Sequence, residues 1–484
     1  MIARPSSSIL AKLLPAAPAK LLLLGHQIET RAAGFEAQGY LVTCRSSCDQ
    51  HDFAQYPSAT RAGICQVNLS LPKADIATFN AVLVLDFSPQ THPLALFDQL
   101  ADLLQESGVM LLVAQPSGQK PPRQARWLDY AVVIAGRCGF VALPLDNTAD
   151  VGSLAVTENE VLVRALRKAV SPRWRIGHVR PEDFPPIAAL FQEVFGHALS
   201  QELWEWKYAA GHGNAVVARH SGALVAHYGG MYRDVLLCGQ PDWVFQICDV
   251  MVHPKERGVL TRQGPFLLTA ATSAEIYGPL GFGFPNARAI SLGKKMGLYT
   301  QVGQIAEVHW EPTKPRIRLR TRVRVLERQS VSDRTLVALL WSAMADDLRS
   351  GVVGVRDWAY LEHRYFSHPH HHYEVLLVTA RFTGKPLGVM VLRRLESACE
   401  LLDVIGPLSS LAMMIDQARR MTSRWSLSHL YCWITTNHVQ RFIECGGTQK
   451  ALDISIPASS WTQNPQSELF KDKWWLMAGD TDFR

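Results

Sequence analysis

Residues 252–266 read VHPKERGVLTRQGPF. The stretch leaves an apolar, strand-like run, VFQICDVMV (244–252), and carries Arg257, Gly258, Arg262 and Gly264. It ends where Pro265 opens a second apolar run, PFLLTAATSAEIYG. Strand, basic glycine-bearing loop and helix start form an anion-binding pattern. The first N–H groups of a helix have no intrahelical acceptor, and its dipole favours negative charge there. Proline suits the first helical turn, and arginines add charge-assisted donors for phosphate oxygens. The expectation is a phosphate-bearing ligand at this loop; the alternative is a solvated basic loop.

Outward from this loop the sequence repeats itself. Residues 203–232 (LWEWKYAAGHGNAVVARHSGALVAHYGGMY) lead to FQICDVMV and then to GFGFPNARAISLGKKMGLY. Residues 360–393 (YLEHRYFSHPHHHYEVLLVTARFTGKPLGVMVLR) lead to CELLDVIG and then to LYCWITTNHVQRFIECGG. Tyr208 aligns with Tyr365, Asp249 with Asp403, Asn286 with Asn437 and Gly297 with Gly446, at near-equal spacing. Each copy reads as helix, two-strand hairpin, strand, helix, strand, helix. In the first hairpin, alternating apolar residues flank a Ser221-Gly222 turn.

This pattern resembles the GNAT acyltransferase fold, here in tandem from about residue 172 onward. The resemblance implies that the loop at 252–264 binds the pyrophosphate of acetyl-CoA or another acyl-CoA. Val252, Pro254, Arg257 and Gly258 fit the family segment. Leu260 and Arg262 stand where small residues are expected, and Gly264 restores a glycine in an enlarged loop. A second family landmark, N-x-x-A-x-x-L-Y-x-K-x-G-F, is matched by Asn286, Ala289, Leu292, Lys295, Gly297 and Leu298. Gly293 stands where the family often has the tyrosine that protonates the leaving thiolate. The second copy lacks both that tyrosine and the pyrophosphate loop, so it is expected to be non-catalytic.

The implied reaction is direct attack of an amine on a thioester. It needs a base, a polarised carbonyl and a proton for the thiolate. Backbone N–H groups near Met251 and Val252 would polarise the carbonyl. Asp249, in an apolar run, is the first candidate base, with an acid bonded to backbone as the alternative. His227 and Tyr228 are secondary candidates. Cofactor contacts are assigned to Met251, Val252, Arg257, Gly258, Arg262, Gly264 and Asn286. The acceptor would be a small amine, an amino sugar or an aminoacyl group.

The first third alternates apolar runs with helical patterns: KLLLLG, ETRAAGFEAQG, YLVTC, NAVLVLDF, LALFDQLADLLQESG and VMLLVA. That implies a parallel, doubly wound, Rossmann-like sheet. Residues 20–168 resemble a class I S-adenosylmethionine-dependent methyltransferase domain, in which Gly25 and Asp86 would be the cofactor residues. The turn after the first strand has Gly25 alone, and the second strand ends in Cys44 and Arg45 rather than an acid. The expected class is therefore α/β and α+β. Residues 1–19 are a flexible leader, 20–168 a methyltransferase-like domain, 172–312 a candidate catalytic GNAT-like domain and 313–484 a second GNAT-like domain. The alternative functions are methyl transfer, with the repeats serving as substrate-binding domains, and a non-catalytic assembly protein.

Composition fits a multidomain globular protein: 484 residues, 48% hydrophobic, 19% charged, net charge +6. Scattered cysteines without a CxxC pair point to a reducing cytoplasm, and the apolar runs are too short to span a membrane. Two features tempt. HPHHH (368–372) offers imidazoles that diverge, so a polar loop is expected and no metal. RIRLRTRVRVLER (316–328) predicts a strand with Arg316, Arg318, Arg320, Arg322 and Arg324 on one face. It is read as a solvated edge strand, or as a surface for an anionic partner. Without interleaved aromatics, nucleic acid is not expected.

Overall fold

KLLLLG forms β1 (Lys20–Gly25), and its four leucines are fully buried. The computed structural model describes residues 13–25, 28–46, 76–85, 87, 93–114, 121–143, 154–156, 161–169, 172–257, 264–277, 280–313, 320–459, 461 and 467–484. Contacts divide the chain into two units, one of residues 1–197, 215–228 and 251–272, the other of 198–214, 229–250 and 273–484. The first repeat copy thus contributes residues to both units.

In the first unit β1 is followed by β2 (Leu41–Ser46), β3 (Phe79–Leu85), β4 (Leu104–Ala114), β5 (Phe140–Ala142), β6 (Leu154–Val156) and β7 (Val161–Lys168). The order is β2-β1-β3-β4-β7-β5, parallel from β2 to β4, with β7 antiparallel to β4, β5 and β6. Helices α1 (Glu29–Glu36), α2 (Pro93–Leu103) and α3 (Pro121–Arg137) lie between the strands in sequence. Helix α2 stops five residues before the expected Gly108 stop. Leu104 already pairs with Phe79, while Val109 pairs with Ala81, so the residues between them bulge. Gln105 fixes the bulge by bonding Asn80 and the Thr78 carbonyl. The expected flexible leader also proves packed over 13–19: Leu14 and Ala19 are buried, and Tyr40 donates to the Pro15 carbonyl.

The same unit holds β8 (Arg175–His178), which pairs antiparallel with β9 (Gly213–His220), and helix α4 (Phe184–Phe195). Asp98 of α2, 1% exposed, receives Arg175 at 2.7 Å and Arg180 at 2.8 Å, and Arg219 binds Asp183 at 2.6 Å. Gly177 admits this cluster, because a Cβ there would stand 2.7 Å from the Asp98 carboxylate. Buried ions persist only when paired. This cluster ties β8–β9 to α2 and explains why the unit runs past residue 168.

Strands β10 (Ala223–Leu237) and β11 (Gln240–Val252) follow. Their turns, Ser221-Gly222 and Cys238-Gly239, have φ of 49° and 82°, and of 49° and 79°. Two positive φ values suit hairpin turns of the primed type. Helix α5 (Gln201–Tyr208) precedes β9, and after β11 come α6 (Pro265–Ile276), β12 (Gly281–Gly283), α7 (Ala287–Lys295) and β13 (Tyr299–Trp310). Strand β14 (Thr321–Val325), α8 (Val331–Asp347), β15 (Val352–Gly354) and α9 (Trp358–Leu361) lead into a five-residue π-helix, Glu362–Phe366. The second copy supplies β16 (Glu374–Ala380), β17 (Pro386–Arg394), β18 (Ala398–Ile405), α10 (Leu411–Arg424), β19 (His429–Thr435), α11 (Val439–Glu444) and β20 (Thr448–Ser459). β21 (Trp474–Trp475) comes last.

The strand order across the second unit is β14-β16-β17-β18-β19-β13-β20-β12-β11-β10-β15-β21. The copies therefore exchange their last strands. β13 of the first copy pairs with β19 of the second, and β20 of the second reaches β12 of the first through Phe282–Ala458. Buried residues from both copies, among them Val244, Phe282, Ile305, Val389, Leu402 and Trp433, share one core.

Candidate functional site

In the first copy β11 and β12 run parallel for three residue pairs, Phe245–Gly281, Gln246–Phe282 and Ile247–Gly283, and no further. Gly281 and Gly283 let the strands close, since a Cβ on either would meet Ile247 at 3.1 or 3.0 Å. Beyond Ile247 the chain turns at Asp249, whose φ is 49°, a strained value for aspartate. Asp249 is held by Tyr208 Oη at 2.8 Å and by Lys207 Nζ at 2.9 Å. Lys207 also binds Asp482 at 2.8 Å. Burial works against the Lys207 ammonium, and the Asp249 and Asp482 carboxylates more than offset it, so it is held well above the usual lysine range. Burial pushes the neighbouring Cys248 thiol and Tyr208 phenol well up. Cys248, Asp249 and Asp482 bring ligand atoms within 4.8 Å of one another. The Lys207 ammonium already bonds both of those carboxylates.

Asn286 caps α7, its Oδ1 accepting from Ala289 N–H at 2.9 Å, and is exposed. Further along α7 the buried face consists of Ile290 and Gly293. The Tyr299 ring lies on Gly293, such that a Cβ there would stand 2.0 Å from Tyr299 Cδ2.

In the first unit β11 ends at Val252 and a 3-10 turn covers Pro254–Glu256. Met251 is buried, and Arg257 is exposed with its Nε donating to the Val252 carbonyl at 2.9 Å. Glu256 is fixed by Trp174 at 2.9 Å and His220 at 2.7 Å. Gly264 is buried directly before Pro265, the first residue of α6. Gly258 and Arg262 lie outside the described residues. The secondary base candidates are interior side chains: His227 is 0% and Tyr228 3% exposed, the latter facing Phe266 at 6.4 Å. Gly25 closes β1 at φ 154°, and Asp86 lies outside the described residues.

The second copy has the same anchor: Tyr365 Oη donates to Asp403 Oδ2 at 3.1 Å. Its paired strands also part, after Leu401–Cys432, and here the chain fills the gap itself. Thr435 N–H donates to the Leu476 carbonyl at 3.2 Å, Met477 bridges Ile434, and Asp480 binds Arg356, which binds Asp403 at 2.8 Å. Gly479 passes so close that a Cβ would stand 2.1 Å from Tyr365 Oη. Residues Trp474–Asp480 are almost wholly buried.

Sequence reasoning missed Lys207, Asp482, Arg356 and this inserted segment. Lys207 sits beside the Tyr208 anchor and was within reach; Asp480 and Asp482 lie outside both repeat copies and gave no periodic signal. The histidine run forms a loop in which His368 Nδ1 accepts from the His370 and His371 N–H groups, and burial holds His368 down to about 3. Of the arginine strand, 314–319 lie outside the described residues; Arg324 pairs with Asp333 and Arg322 is exposed on β14, which among the described residues pairs only with β16.

The family model of the acetyltransferase (GNAT) domain matches residues 175–264. That segment contains β8 to β11 and the turn that follows. No curated protein matches the chain. Among solved structures, a GCN5-related N-acetyltransferase from Anabaena variabilis is 11% identical, covering 60% of this chain and 73% of its own, with a TM-score of 0.46. A tandem GNAT protein from the clavulanic acid biosynthesis pathway is 9% identical, covering 60% and 99%, with a TM-score of 0.40. N-myristoyltransferase of Saccharomyces cerevisiae with bound myristoyl-CoA is 11% identical, covering 60% and 80%, also at 0.40. Among the described residues, no helix is long and apolar enough to cross a membrane.

Proposed function

We propose that this protein transfers an acyl group from an acyl-CoA to an amine acceptor, with the first repeat copy as the catalytic one. The observation that carries the reading is the short, glycine-lined parallel pairing of β11 with β12 that stops at Ile247 and Gly283, in a copy whose front half matches the acetyltransferase domain. Residues 252–264 take the pyrophosphate, with Arg257 as a donor. Backbone N–H groups at Met251 and Val252 polarise the thioester carbonyl. The amine nitrogen bonds the carbonyl carbon and gives up its proton to solvent, the C–S bond breaks, and the thiolate leaves with its electron pair and takes a proton from solvent. Asp249, already bonded to Lys207 and Tyr208 and matched by Asp403 in the other copy, is an anchor of the strand rather than the base. The acceptor is a small amine, an amino sugar or an aminoacyl group.

The second copy is a non-catalytic partner, because its own segment 474–480 occupies the place where its strands part. The N-terminal sheet is a methyltransferase-like scaffold, supported by four parallel strands, with α1 between β1 and β2 and α2 between β3 and β4 in sequence. No cofactor is assigned to it.

Melting with acetyl-CoA and with longer acyl-CoAs tests the reading. A ligand at 100 times its Kd adds about 2.7 kcal/mol of stability. The Arg257→Ala variant loses that response; an unchanged response rejects the loop assignment. No response of the native protein to any acyl-CoA rejects the function.

A further inference from the structure

The alignment of Tyr208 with Tyr365 also matches Trp206 with His363 and Lys207 with Arg364. The first of these matched pairs meets face to face. The Trp206 and His363 rings stack at 4.9 Å with their planes 5° apart. Trp206 Nε1–H donates to the His363 carbonyl at 2.8 Å, and His363 Nε2–H donates to the Trp206 carbonyl at 3.0 Å. Each residue bonds the backbone of its own counterpart, as across a two-fold interface. One half of the contact is an indole, which does not titrate, and the other is an imidazole, which does. His363 is carried by the π-helix Glu362–Phe366, a form found mostly at functional sites.

The stack continues. His212 lies on His363 at 3.8 Å, and His368 lies against Trp206 at 4.6 Å and against His371 at 4.8 Å. The column thus draws Trp206 and His212 from the first copy and His363, His368 and His371 from the second. The charged groups facing it are Lys207 of α5, Arg233 of β10, Arg364 of the π-helix, His370 of the histidine loop and Arg393 of β17. All are cations or become so in acid. The carboxylates nearby bind these cations directly: Asp249 and Asp482 bind Lys207, Asp480 binds Arg233 and Glu400 binds Arg393, while exposed Glu202 faces His370. The other matched pair holds one stretch of chain from both copies. Lys207 binds Asp482, and Arg364 donates to the Gly479 and Thr481 carbonyls.

We propose that this column is an acid-released latch between the two copies: uncharged rings hold α5 against the π-helix, and proton uptake by the imidazoles in mild acid parts them and loosens residues 479–482. The proposal does not rest on the acyl-CoA reading. Burial, then His212, lowers the His363 pKa to about 3, and burial, then Arg364, lowers that of His368 to about 3. Burial also lowers those of His212 and His371. An imidazole released to water titrates near 6.5. The open form therefore binds more protons as pH falls, and acid favours it. Between pH 7 and pH 5, His363 alone shifts the balance by about twentyfold.

Hydrogen exchange read by mass spectrometry at pH 7 and pH 5, corrected for the intrinsic rate, tests the latch on the full chain. In the native protein, peptides covering 201–212 and 360–372 should lose protection by about twentyfold or more at pH 5, while helix α10 keeps its own. His363→Gln retains an N–H donor, and His363→Phe retains a stacking ring; neither takes up a proton. In either variant the acid loss should shrink by about twentyfold. Unchanged protection of the native peptides at pH 5, an equal loss in α10, or the native loss persisting in both variants overturns the latch.

Discussion

Tyr208 donates its hydroxyl to Asp249 at 2.8 Å, and the second copy repeats the bond between Tyr365 and Asp403 at 3.1 Å. The pair joins the end of a helix to the strand beside it in each copy. A contact preserved in both copies, one of them filled by its own chain, belongs to the architecture. Tyr208→Phe and Tyr365→Phe should each lower stability by about 1–3 kcal/mol, as expected for stripping a donor from a buried carboxylate. Urea midpoints measure this. Midpoints that stay at the native value would show that the bonds are not structural.

Arg356 is 0% exposed and bridges Asp403 and Asp480. Arg356→Met leaves the buried Asp403 without its cation and Asp480 with Arg233 alone, and the expected loss is about 3–5 kcal/mol. Replacing all three residues with apolar ones of similar volume should recover most of it. The comparison of single and triple variants by denaturant unfolding separates the broken pair from the lost packing.

His363 stacks on Trp206 at 4.9 Å and on His212 at 3.8 Å, and burial, then His212, lowers its pKa to about 3. An unfolded histidine titrates near 6.5. Between those values the unfolded chain binds the proton and the folded chain does not, so stability is full above about pH 6.5 and falls as pH drops. The loss approaches about 1.4 kcal/mol per pH unit for this residue. His363→Gln should flatten the stability curve between pH 6.5 and 5, above the range of most carboxylates. Equal slopes for the two proteins would contradict the assignment.

Gly293→Ala places a methyl group into the Tyr299 ring. Overpacking of this kind costs about 1–3 kcal/mol, and Tyr299→Ala in the same chain should relieve most of it. A double-mutant cycle gives the coupling directly. Additive effects would mean that the two residues do not touch.

On the acyl-CoA reading, the buried segment 474–480 leaves one copy open to ligand. Titration of acetyl-CoA should saturate at one molecule per chain. Two molecules per chain would require the second copy to open where Thr435, Ile434 and Arg356 hold the segment.

Much of this architecture was legible in the sequence, because periodicity and turn chemistry are local. Strands β1 to β4 of the first sheet, the Ser221-Gly222 hairpin and the four repeat anchors follow from patterns a few residues long, whereas the antiparallel β7 does not. Helix α2 was read too long because the pairing of Leu104 with Phe79 is a long-range contact that no local pattern reports. An acid in an apolar run leaves open whether Asp249 is a base or a bonded structural acid, because its surroundings are not local. Its partner Lys207, and the Asp482 that shares that ammonium, come from distant parts of the chain. His227 and Tyr228 alternate along a strand, and the alternation alone did not reveal that both positions are interior. The segment 474–480 was invisible because it follows the last repeat and has no period of its own.

The exchange of β13 and β20 bears on how such a chain can be divided. A cut near residue 313 would send each half away with a strand whose neighbours remain on the other. Neither fragment could complete its own sheet, but the two expressed together would complement each other. The arrangement is that of a swapped dimer written as a single polypeptide, in which the covalent link replaces a concentration-dependent encounter between two partners.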